Sequence, residues 1–199
     1  MEFFYSGIGF YCFVMDVKEA IEKRRAFRSL MPVEITKDLI MDLAQYAQLS
    51  PSCFNNQPWQ YVFVYSREKL VEMFEALSSG NAWAKDASLI IAVHCREEDD
   101  CIIHDRKYYH FDTGLATAFL ILRATELGLV AHPIAGYSPK KTREILQIPA
   151  DHSVIALVIV GKHANIVKSI LSEKQAEQEI YRPPRYPVSH FVSFNEYSK

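Results

Sequence analysis

Two short segments concentrate side chains able to do chemistry. The run Lys23-Arg24-Arg25-Ala26-Phe27-Arg28 places three guanidiniums within five residues, and such permanently charged, forked donors hold phosphate or carboxylate oxygens bidentately. The same cluster also suits a solvated turn at a helix C-terminus, where cations complement the helix dipole. The second segment, residues 50–59 (SPSCFNNQPW), offers hydroxyls, a thiol and three amides. Such groups read a heterocycle edge through paired donors and acceptors. The alternative there is a polar turn in which Asn55 and Asn56 cap backbone groups.

A third grouping, His94-Cys95 with Cys101-x-x-His104, contains four metal-ligand side chains. Its spacing matches no familiar structural zinc pattern, so no metal is expected, and a metal-binding module stands as an alternative. Arg123 and Glu126 lie at i, i+3 on one helix and are expected to pair. His132 before Pro133 reads as structural or solvent-facing, and Trp83 has no partner assignable from sequence.

These side chains need elements to position them. Asp16 is a good N-cap for a first helix that ends in the arginine turn, and Thr36 caps a second with Leu39, Ile40, Leu43, Ala44 and Ala47 on one face. Residues 59–65 (WQYVFVY) have strand composition, Ser66 caps a third helix to about Ser78, and residues 88–93 (SLIIAV) read as a strand covered on both faces. Residues 112–127 form an apolar helix closed by Gly128. A short strand is expected at 129–134, a helix after Ser138-Pro139, and the clearest buried strand at 154–160. A polar helix over about 165–180 and an edge strand at 190–194 complete the reading. Alternating strands and helices imply α/β or α+β layering.

Of 199 residues, 49% are hydrophobic and 23% charged, the proportions of an ordinary globular chain. With 22 Lys+Arg against 24 Asp+Glu, no global positive field draws nucleic acid, so no nucleic-acid partner is expected. The apolar start, residues 1–14, is too short to cross a bilayer and lacks a cleavage signal, so no membrane partner is expected. It reads as an extension of unknown role before one domain, 15–199. Cys12, Cys53, Cys95 and Cys101 show neither CxxC spacing nor scaffold density, which points to a reducing compartment and a cytoplasmic location.

The arginine turn, Met31-Pro32-Val33, Ser50-Pro51-Ser52, Asn55-Asn56-Gln57-Pro58-Trp59, Glu126-Leu127-Gly128-Leu129-Val130 and Pro133-Ile134-Ala135-Gly136-Tyr137 occur in the order found in the FMN-dependent nitroreductase family. The chain resembles that family from about Asp16 to Gly161, with a matching end at Arg185. The resemblance implies an α+β fold, a central mainly antiparallel sheet flanked by helices, in an intertwined homodimer. The 112–127 helix would enter the dimer interface, and the arm from about 165 would cross to the partner.

The resemblance also assigns roles. Arg24 would hold the FMN phosphate, with Arg25 and Ala26 lining the cofactor. Arg28 would sit beside the flavin N1 and O2, where a fixed cation favours the reduced anion. Ser52, Cys53, Asn55 and Gln57 would reach FMN bound mainly to the other subunit. Ala135 and Gly136 would approach the isoalloxazine ring, Lys85 would be a further flavin contact, and Arg185 a C-terminal phosphate ligand. Ala26 stands where serine is frequent and Cys53 where small hydroxyl residues are common, which implies weaker FMN retention. Cys53 itself reads as a buried or flavin-facing thiol. The implied activity is hydride transfer from NADH or NADPH through FMN to a nitroaromatic, quinone or similar small acceptor by a ping-pong mechanism. No catalytic side chain is expected beyond the flavin-tuning Arg28. The alternatives are other chemistry on the same fold (dehalogenation, dehydrogenation or flavin fragmentation) and FMN binding without turnover.

Overall fold

A computed structural model describes residues 15–198, and the reading of residues 1–14 as an extension lies outside the described residues. Helix α1 (Val17–Lys23) starts at Asp16, whose side chain accepts the Glu19 N–H at 2.7 Å. Strand β1 (Leu30–Met31) and helix α2 (Lys37–Gln48) follow, the latter capped by Thr36. Then come β2 (Gln60–Val64), α3 (Arg67–Phe74), a 3₁₀ stretch (Ser79–Asp86) and β3 (Leu89–Cys95). A hairpin of β4 (Ile102–Ile103) and β5 (Arg106–Lys107) leads into α4 (Tyr109–Glu126). The chain closes with β6 (Val130–Ile134), α5 (Pro139–Leu146), β7 (Ser153–His163) and α6 (Glu173–Ile180).

All strand pairs are antiparallel. β3 and β7 run side by side in the middle, β2 flanks β3, and β6 then β1 occupy successive stretches of the far edge of β7. The period of two along a strand sends neighbouring side chains to opposite faces. Ile90, Ala92, Leu157 and Ile159 therefore pack with Leu70, Met73 and Trp83 on one face. Leu89, Ile91, Val93, Val158 and Val160 pack with Leu43, Ala47, Leu120 and Ala124 of α2 and α4 on the other. This explains why β3 is apolar throughout rather than alternating. Arg123 joins the two helices on that face: it donates to both Asp42 oxygens (2.7 and 2.9 Å) and, as expected, to Glu126 at 2.8 Å.

The structure corrects several expectations. The third helix stops at Phe74 rather than Ser78, because the backbone beyond it bonds elsewhere: Leu77 bridges to Tyr137, and the Ser78 N–H donates to the Gly136 carbonyl. The polar helix covers only Glu173–Ile180, where Ser172 and Gln175 form a reciprocal capping box. Before it, Asn165 has φ 55° and the Lys168 N–H donates to Ser29 Oγ at 3.1 Å, bonds no helix allows. No strand forms at 190–194; a single 3₁₀ turn (Val188–His190) stands there, and the residues are exposed. Among the described residues, no helix is long and apolar enough to cross a membrane.

Candidate functional site

Helix α1 ends as Arg24 turns extended, and residues 24–28 run along the end of α6. The carboxylate of Glu179, 6% exposed, accepts the N–H of Arg28 at 2.7 Å and of Ser29 at 3.1 Å. In return Arg25 Nη2 donates to the carbonyls of Gln178 (2.7 Å) and Glu179 (3.2 Å), which the last helical turn leaves free. The Arg25 guanidinium also lies over the Phe27 ring at 4.5 Å, and Phe27 stacks on His163 with centroids 3.8 Å apart. Beyond α6, Arg182 donates to the Glu22 carbonyl and, at 3.1 Å, to that of Arg24.

These contacts enclose a concavity of about 120 Å³ lined by Arg24, Arg25, Ala26, Arg28, Gln178, Arg182, Pro183 and Arg185. Among the described residues, none of these arginines lies within 4.0 Å of a carboxylate. Burial, then the charges of Arg182 and Arg185, lower the Arg24 pKa; burial likewise lowers that of Arg28, with Glu179 opposing it. Crowded guanidiniums whose neighbouring carboxylate, Glu179, is occupied by backbone N–H groups favour an anion between them. The expected set of Arg24, Arg25, Ala26, Arg28 and Arg185 is thus brought together. Arg25 is spent largely on α6 carbonyls and acts as a positioning residue. Arg182, missed from sequence, was signalled only by standing three residues before Arg185. Arg182 ties the start of the tail to its own chain, and the residues that follow it are exposed.

Ser52, Cys53, Asn55 and Gln57 lie elsewhere, on a 3₁₀ turn (Cys53–Asn55) between α2 and β2. None of them lines the arginine concavity. Phe54, Asn55 and Gln57 have φ of 49°, 59° and 53°. The Cys53 N–H donates to Asp112 Oδ2 at 2.6 Å, and Asn56 Nδ2 to Asp100 Oδ1 at 3.3 Å. Cys53 is bonded to Cys101 in a disulfide, with Cα atoms 6.1 Å apart. This overturns the reading of Cys53 as a free thiol and of the cysteines as an unpaired, reduced set. A sequence separation of 48 hides a pairing made only when the β4–β5 excursion folds back over the loop. Of the four side chains in the alternative metal module, Cys101 is bonded to Cys53, and His94 faces His152, Nδ1 to Nδ1, at 3.0 Å.

Ala135 and Gly136 leave β6 beside the 3₁₀ stretch. The Gly136 carbonyl accepts from Asn81 Nδ2 at 2.9 Å, and a Cβ on Gly136 would stand 2.4 Å from that nitrogen, so any larger residue must displace the Asn81 side chain. Asn81 Oδ1 in turn accepts from Trp83 Nε1 at 3.2 Å, the partner the sequence did not reveal. Trp83 stacks on His132 at 4.8 Å, and His132 Nδ1 lies 3.1 Å from the Phe27 carbonyl, which links the exit of β6 to the arginine turn. Burial pushes the His132 pKa down to about 4, aided by Arg28 and Arg24, so the ring is neutral at pH 7. Lys85 stands apart from the arginines, on a separate concavity of about 410 Å³ with Asp86 and Lys168.

The fold and site define an α+β protein in which the end of α1 and the returning tail make an anion-accepting concavity beside a central antiparallel sheet. A profile of the nitroreductase family matches residues 21–94 and 74–162, and the chain belongs to that family. A Methanothermobacter thermautotrophicus protein provisionally named NADH dehydrogenase/NAD(P)H nitroreductase is 33% identical over 117 residues, 59% of this chain and 59% of its own. The chain thus spans less than two thirds of that relative. A Thermus thermophilus NADH dehydrogenase is 24% identical over 179 residues, covering 74% of this chain and 87% of its own. Among solved structures, an oxidoreductase containing FMN is 28% identical with a TM-score of 0.78, over 90% of this chain and 91% of that one. An FMN-dependent nitroreductase of Clostridium difficile R20291 shares the fold, with 23% identity and a TM-score of 0.68 over 89% and 98% of the chains.

Proposed function

We propose that this chain is an FMN-dependent NAD(P)H oxidoreductase that reduces a nitroaromatic, quinone or similar small acceptor. The observation that carries the reading is the convergence of Arg24, Arg28, Arg182 and Arg185 on one small concavity, with none of these guanidiniums in a salt bridge among the described residues. That donor set fits the phosphate of FMN. The names of the relatives support the same cofactor and reductant.

When bound, FMN supplies the redox chemistry, linking oxidation of NAD(P)H to reduction of the acceptor in two half-reactions. The protein's part is to hold and tune it. Arg24, Arg182 and Arg185 fix the phosphate, Arg25 holds the turn against α6, Ala26 leaves room, and Arg28 provides a fixed positive charge for the flavin N1 and O2 edge. Ala135 and Gly136 present backbone to the ring, and Lys85 is retained as a more distant flavin contact. Ser52, Cys53, Asn55 and Gln57 lie outside the concavity of their own chain, which supports a homodimer in which this loop completes the partner's site. Exposed Tyr186, Phe191, Phe194 and Tyr197 after the arginines give the dimer an apolar arm. We place the enzyme in the cytoplasm, as one domain from residue 15.

The visible absorption spectrum of the purified protein tests this, followed by anaerobic addition of NADH or NADPH and then an acceptor. A flavin spectrum that bleaches and returns is expected. A colourless protein that takes up no added FMN would remove the proposal.

A further inference from the structure

The corner around the Cys53–Cys101 bond holds more polar chemistry than a structural disulfide needs. Asp100 is 8% exposed; its Oδ1 accepts the Cys101 N–H at 2.8 Å and the Asn56 amide at 3.3 Å, while its Oδ2 is buried and has no partner. One Asp100 oxygen and both sulfurs lie within 4.8 Å of one another. Burial, together with the neighbouring Asp112 carboxylate on α4, pushes the Asp100 carboxyl above its ordinary range. The other titratable groups of this corner are Cys95 on β3, buried and raised to about 11, and Asp99, which pairs with Arg96. Both bonded cysteines are half-buried, so a small thiol can reach them.

Breaking a disulfide expels a thiolate, and a nearby acid that hands it a proton assists departure. We propose that Cys53–Cys101 is a thiol-exchangeable bond that clamps the loop of residues 52–57, with the Asp100 carboxyl as the proton carrier for the departing sulfur. An external thiolate attacks one sulfur and forms a mixed disulfide. The S–S bond breaks, its electron pair leaves on the other sulfur, and that sulfur takes the Asp100 proton. A second external thiol displaces the first as a disulfide and frees the remaining cysteine. In sum, two external thiols are oxidised to one disulfide, the protein bond is reduced to two thiols, and protons released by the attacking thiols restore Asp100.

The loop has reason to move once released. Phe54, Asn55 and Gln57 all hold left-handed backbone angles, a conformation unfavourable for residues with a Cβ. The clamp, with the Asp112 and Asp100 contacts, keeps them there. In the cytoplasmic setting proposed above, disulfides are usually transient and report redox state. The effect on cofactor binding rests on the proposed function; the exchange chemistry itself does not.

The test uses the full chain purified without reductant. Peptide mapping after alkylation should find Cys53 linked to Cys101. Dithiothreitol should then open the bond in folded protein, with the circular dichroism spectrum retained. Asp100→Asn should slow opening by about tenfold or more, the lower part of the usual range for general acid assistance. In wild type the rate per attacking thiolate should fall as Asp100 ionises, and in Asp100→Asn it should be flat with pH. Hydrogen exchange of peptides covering 52–57 should rise on reduction, and equally in Cys53→Ser, while β3 stays protected. Free thiols at both positions in air-oxidised protein, reduction only after urea unfolding, equal rates with Asp100→Asn, or unchanged loop exchange would each overturn the proposal. If Asp100→Asn does not fold, the wild-type pH profile decides. Failure to bind FMN in either redox state would count against the proposed function alone.

Discussion

Glu179 accepts the backbone N–H of Arg28 at 2.7 Å, so the last turn of α6 sets the direction in which the arginine turn leaves α1. The same carboxylate holds the Ser29 N–H and has His163 3.6 Å away. Glu179→Ala leaves two N–H groups without acceptors, a cost of about 1–3 kcal/mol each where they stay buried. Thermal stability and FMN affinity should therefore fall together, and Glu179→Gln, which keeps one acceptor oxygen, should lose less. Urea unfolding and flavin fluorescence titration of the two variants check this; unchanged values for Glu179→Ala would detach α6 from the site.

Arg24 and Arg28 should separate by ligand. If Arg24 holds the phosphate, Arg24→Ala weakens FMN binding by about 1.5–3 kcal/mol, the range for a hydrogen bond to a charged group, and leaves riboflavin binding nearly unchanged. Arg28→Ala instead lowers the flavin midpoint potential or FMN retention. Parallel titrations with FMN and riboflavin, and a spectroelectrochemical potential, distinguish the two. Equal losses for both ligands in Arg24→Ala would remove the phosphate role.

Gly136→Ala places a methyl group 2.4 Å from Asn81 Nδ2 and 2.6 Å from Ser78 Oγ. The Asn81 side chain must swing away, breaking its bonds to the Gly136 carbonyl and to Trp83. A loss of about 1–3 kcal/mol is expected, typical of overpacking. Asn81→Ala in the same background should relieve the contact with Asn81 without restoring the bonds, so the two effects should not add. Chemical denaturation of the single and double variants measures this.

Acid sensitivity follows from two histidines. Burial, with Arg28 and Arg24 nearby, holds His132 at about 4, and burial with His152 beside it holds His94 at about 4. In the unfolded chain a histidine titrates near about 6.5. Below that pH the unfolded state takes up protons the folded state refuses, so stability falls as pH drops from about 6.5 and levels off near 4. The slope for His132 approaches about 1.4 kcal/mol per pH unit inside that window. Urea midpoints at pH 7.5, 6 and 5 should show the decline, and His132→Gln should lessen it, leaving the His94 share.

Local chemistry was readable in the sequence, and long-range closure was not. Asp16, Thr36, Ser66 and Ser138 cap the helices they precede, because a cap needs only the next three residues. The unbroken apolar run of β3 announced a strand covered on both faces. The arginine turn and Arg185 were identified as one site through the family resemblance, which the geometry supports. Arg182, Glu179 and the Cys53–Cys101 bond escaped, since each acts on a residue far along the chain and leaves no local period or motif. The tail misled for a related reason: residues 165–171 have helical composition, but Ser29 Oγ captures the Lys168 N–H first.

The arginine concavity joins residues 24–28 to 182–185. During synthesis Arg24 and Arg28 are made well before Arg182 and Arg185. The sheet core, whose last strand ends at His163, can be complete outside the ribosome while Arg182 and Arg185 are still inside its tunnel. Closure of the concavity is therefore a late event, and a ribosome stalled after β7 would display a packed sheet with the arginine concavity still open.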